Sequence, residues 1–228
     1  MNWSMVKGLI FKDWYFQRTA ILLAFAGGAV SLGIVCIGGQ ASFTIGLILL
    51  VTVMVMISAM TVMGNVLGER ENQTLPFVMS LPISYLEYTT SKILGNLLIF
   101  VPFWLTIVAG SLAVIVASPV IHGFFAFAVI MGVEILVNTC LMIAVALVTE
   151  SKGWAISAMV AGNLAINVVG YIVAHIPGIS NGMWGTTIQW RPAATISLVT
   201  EIALIALLLV GAFFIQSRSV SEIDSHSG

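Results

Sequence analysis

The chain has 228 residues, of which 60% are hydrophobic and only 7% are charged, and its formal net charge is −1. Its mean hydropathy is +1.11. Because roughly a quarter of the residues in an ordinary soluble domain are charged, this composition excludes one. The near-zero net charge says nothing about acidic or basic partners, because most of the chain would meet lipid rather than water. We expect no contact with nucleic acid.

The N-terminal residues 1–19 mix aromatic and basic side chains. The aromatic ones are Trp3, Phe11, Trp14, Tyr15 and Phe16, and the basic ones are Lys7, Lys12 and Arg18. This mixture favours the headgroup level of a membrane and predicts an interfacial helix. Two interpretations stay open: a plain anchor, or a helix that also contacts a partner.

Six apolar runs follow, each long enough to cross a membrane as a helix, which takes about 20 residues. They are Ala20–Gly39, Phe43–Gly64, Ile93–Ala117, Phe124–Val148, Ala155–His175 and Ile196–Gln216. Runs without polar alternation favour helices over barrel strands. The sequence therefore predicts an all-α polytopic membrane protein with a six-span domain over residues 20–216.

The distribution of Lys and Arg predicts the orientation. An even number of spans places both termini on one side, and if that side is cytoplasmic, Arg191 lies outside and seven basic residues lie inside. The seven are Lys7, Lys12, Arg18, Arg70, Lys92, Lys152 and Arg218. The positive-inside rule therefore predicts cytoplasmic termini, with the tail 217–228 inside, for a protein of the cell (plasma) membrane.

A polar segment, residues 65–92, separates the second and third runs. It contains five of the chain's charged residues, Glu69, Arg70, Glu71, Glu87 and Lys92. Within it, Thr74 is a suitable N-cap, Pro76 suits a first helical turn, and Pro82 ends a helix. These residues predict a short helix of about two turns.

A second helix is predicted directly after Pro82. Ser84 followed three residues later by Glu87 forms the capping-box pattern, and this helix can continue through Lys92 into the third span. The short helix before it is almost entirely apolar, with Leu75, Phe77, Val78, Met79 and Leu81. Such a helix either lies in the headgroup region or on its own bundle, or fills a groove on another protein.

The polar segment resembles the one that follows the second span in ABC-2-type transporter permeases. There, an acidic cluster leads to a Thr-Leu pair, a Leu-Pro-hydrophobic-Ser turn and a Lys. The matching residues here are Glu69–Glu71, Thr74–Leu75, Leu81–Ser84 and Lys92. The start of the chain, Leu9–Asp13, is also similar to the start of that family.

The resemblance implies a permease subunit whose short helix is a coupling helix seated on a separate ATP-binding cassette subunit. The ATPase-coupling residues would be Glu69, Glu71, Thr74, Leu75, Phe77, Val78, Leu81 and Pro82. The resemblance further implies two copies of the ATPase subunit and a second permease chain. The second permease would be either another copy of this chain, which makes a homodimer, or a related permease. The cargo would be hydrophobic or amphipathic, such as a peptide antibiotic, a drug or a lipid-like molecule.

The sequence contains no motif for ATP hydrolysis. A phosphate-binding loop needs a Gly-Lys pair, and this chain has none. We therefore expect no enzyme activity and no catalytic residues, no cofactor bound by this chain, and ATP with Mg²⁺ on the partner ATPase. No spacing of Cys, His and acidic residues is typical of a metal site.

Two pairs of polar residues lie four apart within predicted spans, Glu134 with Asn138 and Asn163 with Asn167. Each pair shares one helical face, and the helical rise of about 1.5 Å per residue places both near mid-bilayer. They either form interhelical hydrogen bonds or line a cargo path.

Between the fifth and sixth spans, the Gly- and Pro-rich residues 176–195 are either an ordinary outer loop or, as the resemblance suggests, short helices that dip back toward the membrane.

An alternative function is the six-span substrate-binding component of a nutrient importer, like the vitamin-capturing components of energy-coupling-factor transporters. The polar segment after the second span argues against it. A neighbouring gene for a chain with a phosphate-binding loop, and copurification of the two chains in equal copy numbers, would separate the two functions.

Overall fold

The computed structural model describes residues 3–37, 40–71, 73, 80, 84–183 and 185–226. Within these ranges the chain is helical and forms no strand, which confirms the all-α prediction. The helices are α1 (Trp3–Cys36), α2 (Gln40–Val62), a π-helical turn (Met63–Leu67), α3 (Gly68–Glu71), α4 (Tyr85–Ala117), a 3₁₀ segment (Pro119–Phe124), α5 (Phe125–Thr149), α6 (Lys152–His175), α7 (Pro177–Met183) and α8 (Pro192–His226).

Six helical stretches are long and apolar enough to cross a membrane. They are α1, α2 with its π turn, α4, α5 with part of the preceding 3₁₀ segment, α6, and α8 up to Gln216. Five of the predicted runs lie wholly within them, and the first stretch ends at Cys36, three residues before the predicted end of its run. The chain therefore has the architecture of a multi-pass membrane protein, as its composition predicts.

Helix α1 joins two parts that the sequence analysis separates, the N-terminal helix of residues 1–19 and the first span. It runs without a break for 34 residues. No Gly or Pro interrupts residues 9–26, so nothing in the sequence ends a helix there. Its length is about 50 Å, which exceeds the roughly 30 Å hydrocarbon core. The interfacial position of residues 1–19 stays a prediction.

Helix α5 occupies the centre of the bundle. It packs against α2, α4, α6 and α8, while α1 packs along α2 and α4. Its buried side chains point in several directions around the helix rather than along one stripe. A helix that is apolar all round and enclosed in this way suits a bundle core.

Contacts between chain-distant residues define two ends of the bundle. At the basal end, Lys92 of α4 meets Asp13 of α1. At the distal end, Gly123 donates a backbone hydrogen bond to Gly185 O over 3.0 Å, and the Phe43 and Phe124 rings pack edge to face. The predicted outer loop 176–195 lies at the distal end and contains α7.

Candidate functional site

Four charged side chains meet at the basal end, where α1, α3 and α4 converge. They are Lys12, Asp13, Glu69 and Lys92, and we call them the basal charge cluster. Lys92 Nζ lies 2.9 Å from Asp13 Oδ2 and 3.0 Å from Glu69 Oε1. Lys12 Nζ also pairs with Glu69 Oε1 and lies 3.6 Å from Asp13 Oδ1. One ammonium group thus links α1, α3 and α4.

The cluster is neutral and almost entirely buried. Lys92 is 0% exposed, and Asp13 and Glu69 are buried as well. Each buried ion has lost its hydration, so it depends on its partners for compensation. Removing one partner therefore leaves an uncompensated charge inside the protein.

Polar neighbours extend the cluster along the bundle. Tyr88 Oη donates a 3.0 Å hydrogen bond to Glu69 Oε2. One turn deeper, Gln17 Nε2 of α1 donates to Asn65 Oδ1 in the π turn over 3.0 Å. Asn65 in the π turn and Glu69 in α3 lie four residues apart, and both are buried.

Glu69 is held in its charged form. Burial raises the pKa of this carboxyl, but the Lys92 ammonium and the hydrogen bonds from Lys12 and Lys92 lower it more. The resulting pKa lies below the ordinary value of 4.5. Glu69 is therefore ionised at neutral pH and provides the negative charge that both lysines need.

The cluster stands at both ends of the polar segment. Glu69 lies in α3, near the start of the segment, and Lys92 is its last residue and lies in the first turns of α4. The predicted capping box that starts α4 is confirmed: Ser84 N donates to Glu87 Oε2 over 2.9 Å, and Glu87 N donates to Ser84 Oγ over 3.3 Å. Both ends of the segment are thus fixed to the same point on α1.

The predicted coupling helix itself falls outside the described residues. These omit 74–79 and 81–83, and with them Thr74, Leu75, Phe77, Val78, Leu81 and Pro82. Of the predicted coupling residues, Glu69 lies in the basal charge cluster, and Glu71 ends α3. The coupling role of this set stays a prediction.

The sequence analysis named Glu69 and Lys92 but did not identify the α1 side of the cluster. Asp13 is the only acidic residue among the first 68. An isolated acid within an aromatic and basic segment, spaced four residues from Leu9 and from Gln17, was the signal for a buried ion pair. Its partner could not be read from the sequence because the two residues lie 79 positions apart.

The four predicted mid-bilayer residues fall into two groups. Glu134 and Asn138 are buried within the bundle, 5% and 2% exposed. Asn163 is half-buried and Asn167 is exposed, and both line a cavity. The structure therefore does not bring all four into one site.

The cavity has a volume of about 860 Å³ and lies between α2, α4, α5 and α6. Its lining is mostly aliphatic and aromatic, with four hydrogen-bonding side chains: Thr52, Ser111, Asn163 and Asn167. A concave, mainly apolar site with a few polar groups is typical of small-molecule binding. Its volume falls within the usual range for such sites, roughly 300–1,000 Å³.

Comparisons with models of known families, with curated proteins and with solved structures find no match for this chain. The resemblance to ABC-2-type permeases therefore rests on the residues of the N-terminal and 69–92 stretches. Across the described part of the chain, no group of three or more His, Cys, Asp or Glu side chains could hold a metal ion.

Proposed function

We propose that the chain is the permease subunit of an ATP-binding-cassette exporter of the ABC-2 type, powered by a separate ATPase. The observation that carries this proposal is the basal charge cluster, which fixes both ends of the polar segment to α1. A segment that receives force from a partner must be rigidly joined to the helices it moves. The buried ion pairs provide such a joint.

The energetics of the cluster explain why the joint would be stiff. Pulling Lys92 away from Asp13 and Glu69 would separate buried charges, which costs several kcal/mol. Displacing the segment by rigid-body motion of α1, α3 and α4 avoids that cost. Movement of a docked ATPase would then displace the helices of the bundle and would not merely deform the polar segment.

The cavity indicates where the cargo would bind. In this proposal the basal end faces the cytoplasm of a plasma membrane, and a hydrophobic or amphipathic cargo occupies the cavity between α2, α4, α5 and α6. Apolar surface would contact the body of the cargo, and Asn163 and Asn167 would contact a polar group on it. Glu134 and Asn138 would act from within the bundle rather than at the cavity surface.

The chain would function in a larger assembly. ATP and Mg²⁺ would bind to two copies of the partner ATPase, because this chain has no phosphate-binding loop. A second permease copy, identical or related, would complete the pathway.

The assembly itself is the first test. We expect the chain, coexpressed with the ATPase of its gene neighbourhood and purified in mild detergent, to give a complex with two ATPase copies per two permeases by native mass measurement. An unrelated ATP-binding cassette subunit is the control and should not copurify. A stable monomer that retains no ATPase, or that retains a tightly bound nutrient instead, would contradict the proposal.

The predicted coupling helix gives the second test. Phe77 and Leu81 lie four residues apart and would project from the same helical face. We expect the double variant Phe77→Asp/Leu81→Asp to lower ATPase capture at least tenfold, because charges would replace apolar docking contacts, while membrane insertion is unchanged. Ile188→Asp, an exposed apolar position at the distal end, is the control and should capture ATPase normally. Equal capture by both variants would refute the coupling-helix assignment.

A further inference from the structure

Two carboxylates lie inside the bundle where α5 packs along α8. Glu134 on α5 and Glu201 on α8 are each 5% exposed. A charged carboxylate within the hydrocarbon region is costly, so such residues usually have a partner or a function. Glu134 is a candidate cargo-path residue from its position in the sequence, whereas Glu201 has no role so far.

The register of the two helices places these carboxylates at the same level. Glu134 lies nine residues after the start of α5, and Glu201 lies nine residues after the start of α8. The helices run in the same direction: Ala126 and Ala194 belong to one buried cluster at the distal end, and Gln216 Nε2 donates to Leu147 O at the basal end. The residues in these two contacts differ in number by 68 (194 − 126) and by 69 (216 − 147). Glu134 and Glu201 differ by 67 (201 − 134), so they lie at nearly the same level along the two helices.

Each carboxylate is buried on a helix that packs along the other. No cationic side chain lies at their level on the described parts of the elements that surround α5. Helix α2 carries no charged residue, and the titratable groups of α4 lie at the basal end, namely Glu87, Tyr88 and Lys92. Helix α6 carries Lys152 at the basal end, and Tyr171 and His175 toward the distal end. The other titratable residue of α5 is Cys140. Lys92 is already engaged by Asp13 and Glu69. Within the part of the chain that the structure describes, the pair therefore has no countercharge at its level.

Unsatisfied polar atoms give a second, independent sign of a missing ligand. Glu201 Oε2 is fully buried and has no hydrogen-bond partner among the described residues. Buried polar atoms without partners are rare in folded proteins, because each one has lost its hydration without compensation. A single proton between the two carboxyl groups would satisfy such an oxygen and would remove the repulsion at the same time.

We propose that Glu134 and Glu201 form a proton-binding carboxyl pair that holds one proton between its two side chains at neutral pH. The proton comes from water and binds a carboxylate oxygen, which then donates a hydrogen bond to the opposite carboxylate. Loss of this proton leaves two negative charges facing each other and weakens the packing of α8 on α5. The inference does not depend on the proposed transport function.

The pair is tested by infrared titration of the full-length chain purified in detergent. A protonated carboxyl group absorbs at a frequency distinct from that of a carboxylate, and exchange into D₂O shifts it. We expect a protonated buried carboxyl in the wild type at neutral pH, and its loss in Glu134→Gln/Glu201→Gln. Glu150→Gln, which changes an exposed carboxylate at the basal end of α5, should retain the signal.

The single variants distinguish a shared proton from two independently buried acids. In Glu134→Gln or Glu201→Gln the remaining carboxyl has no like-charged neighbour, so we expect it to release its proton about one pH unit or more below the wild-type value. Single variants that titrate like the wild type would overturn the pair, as would a wild type that lacks the protonated signal at neutral pH. The single variants decide the question alone if the double variant does not fold.

Discussion

Replacing Lys92 with Met is expected to lower the free energy of unfolding by about 3–5 kcal/mol. Methionine keeps the unbranched shape of the side chain but removes the ammonium group that Asp13 and Glu69 share. Two carboxylates would then remain buried, with Lys12 as their only close cation in the basal charge cluster. Because Lys12 is partly exposed and pairs mainly with Glu69, it cannot compensate both.

The measurement is unfolding in mixed micelles followed by tryptophan fluorescence. Lys7→Met is the matched control because Lys7 is an exposed lysine on α1, the helix to which Lys92 is paired, and it should change stability by about 0.5 kcal/mol or less. Adding Asp13→Asn and Glu69→Gln to Lys92→Met should recover most of the lost stability, since no fully buried charge of the cluster then remains and the Lys12 ammonium is partly exposed to solvent. If Lys92→Met and Lys7→Met behave alike, the charges of the cluster do not hold the basal end together.

The cluster variant also separates structure from the proposed function. With this triple variant, the bundle is expected to be stable but the joint to be weaker, because methionine at position 92 cannot donate the two charge-assisted hydrogen bonds that Lys92 makes to residues 13 and 69. If the cluster transmits movement of an ATPase, this variant should hydrolyse ATP at a normal rate and export less cargo per ATP. A merely structural cluster would leave that ratio unchanged.

The parts of the fold that depend on local sequence could be predicted. The six spans follow from runs of apolar residues, and the start of α4 follows from the reciprocal hydrogen bonds of Ser84 and Glu87. Both features are determined within a few residues of the chain. The basal charge cluster could not be predicted because Asp13 and Lys92 meet only after α1 has packed against α4. Pairing across 79 positions is a property of packing, on which a single sequence carries no direct signal.

For the candidate cargo-path residues, the depth in the bundle could be predicted from the sequence, but the direction of the side chains could not. Depth follows from the helical rise, and Glu134 and Asn138 do lie inside the bundle. The direction of a side chain depends on which helix packs beside it. Asn163 and Asn167 line the cavity, whereas Glu134 and Asn138 do not. Glu201 was missed because its level relative to Glu134 depends on how α8 lies along α5.

Helix α6 approaches α5 closely at Gly162. A Cβ atom on Gly162 would lie 1.6 Å from Asn138 Oδ1 and 2.5 Å from its Cγ. Since Asn138 is 2% exposed, its side chain has little space to move away. We therefore expect Gly162→Ala to lower the free energy of unfolding by about 1–3 kcal/mol, as overpacking does in other cores. Gly33→Ala is the control: nothing lies within 4 Å of that site, so alanine's helix propensity should maintain or raise stability.

Asn138→Ala provides the matching compensation and also decides what Asn138 does. Neither its Oδ1 nor its Nδ2 has a hydrogen-bond partner among the described residues, so removing the amide sacrifices no such bond. The double variant Gly162→Ala/Asn138→Ala should therefore recover most of the stability lost in Gly162→Ala, a coupling that a double-mutant cycle measures directly. Additive effects would show that the two side chains do not meet. If Asn138→Ala alone destabilises the bundle by more than about 1 kcal/mol, the Asn138 side chain is a structural contact between the helices. If it leaves stability unchanged but alters cargo-stimulated ATP hydrolysis, the amide belongs to the cargo path.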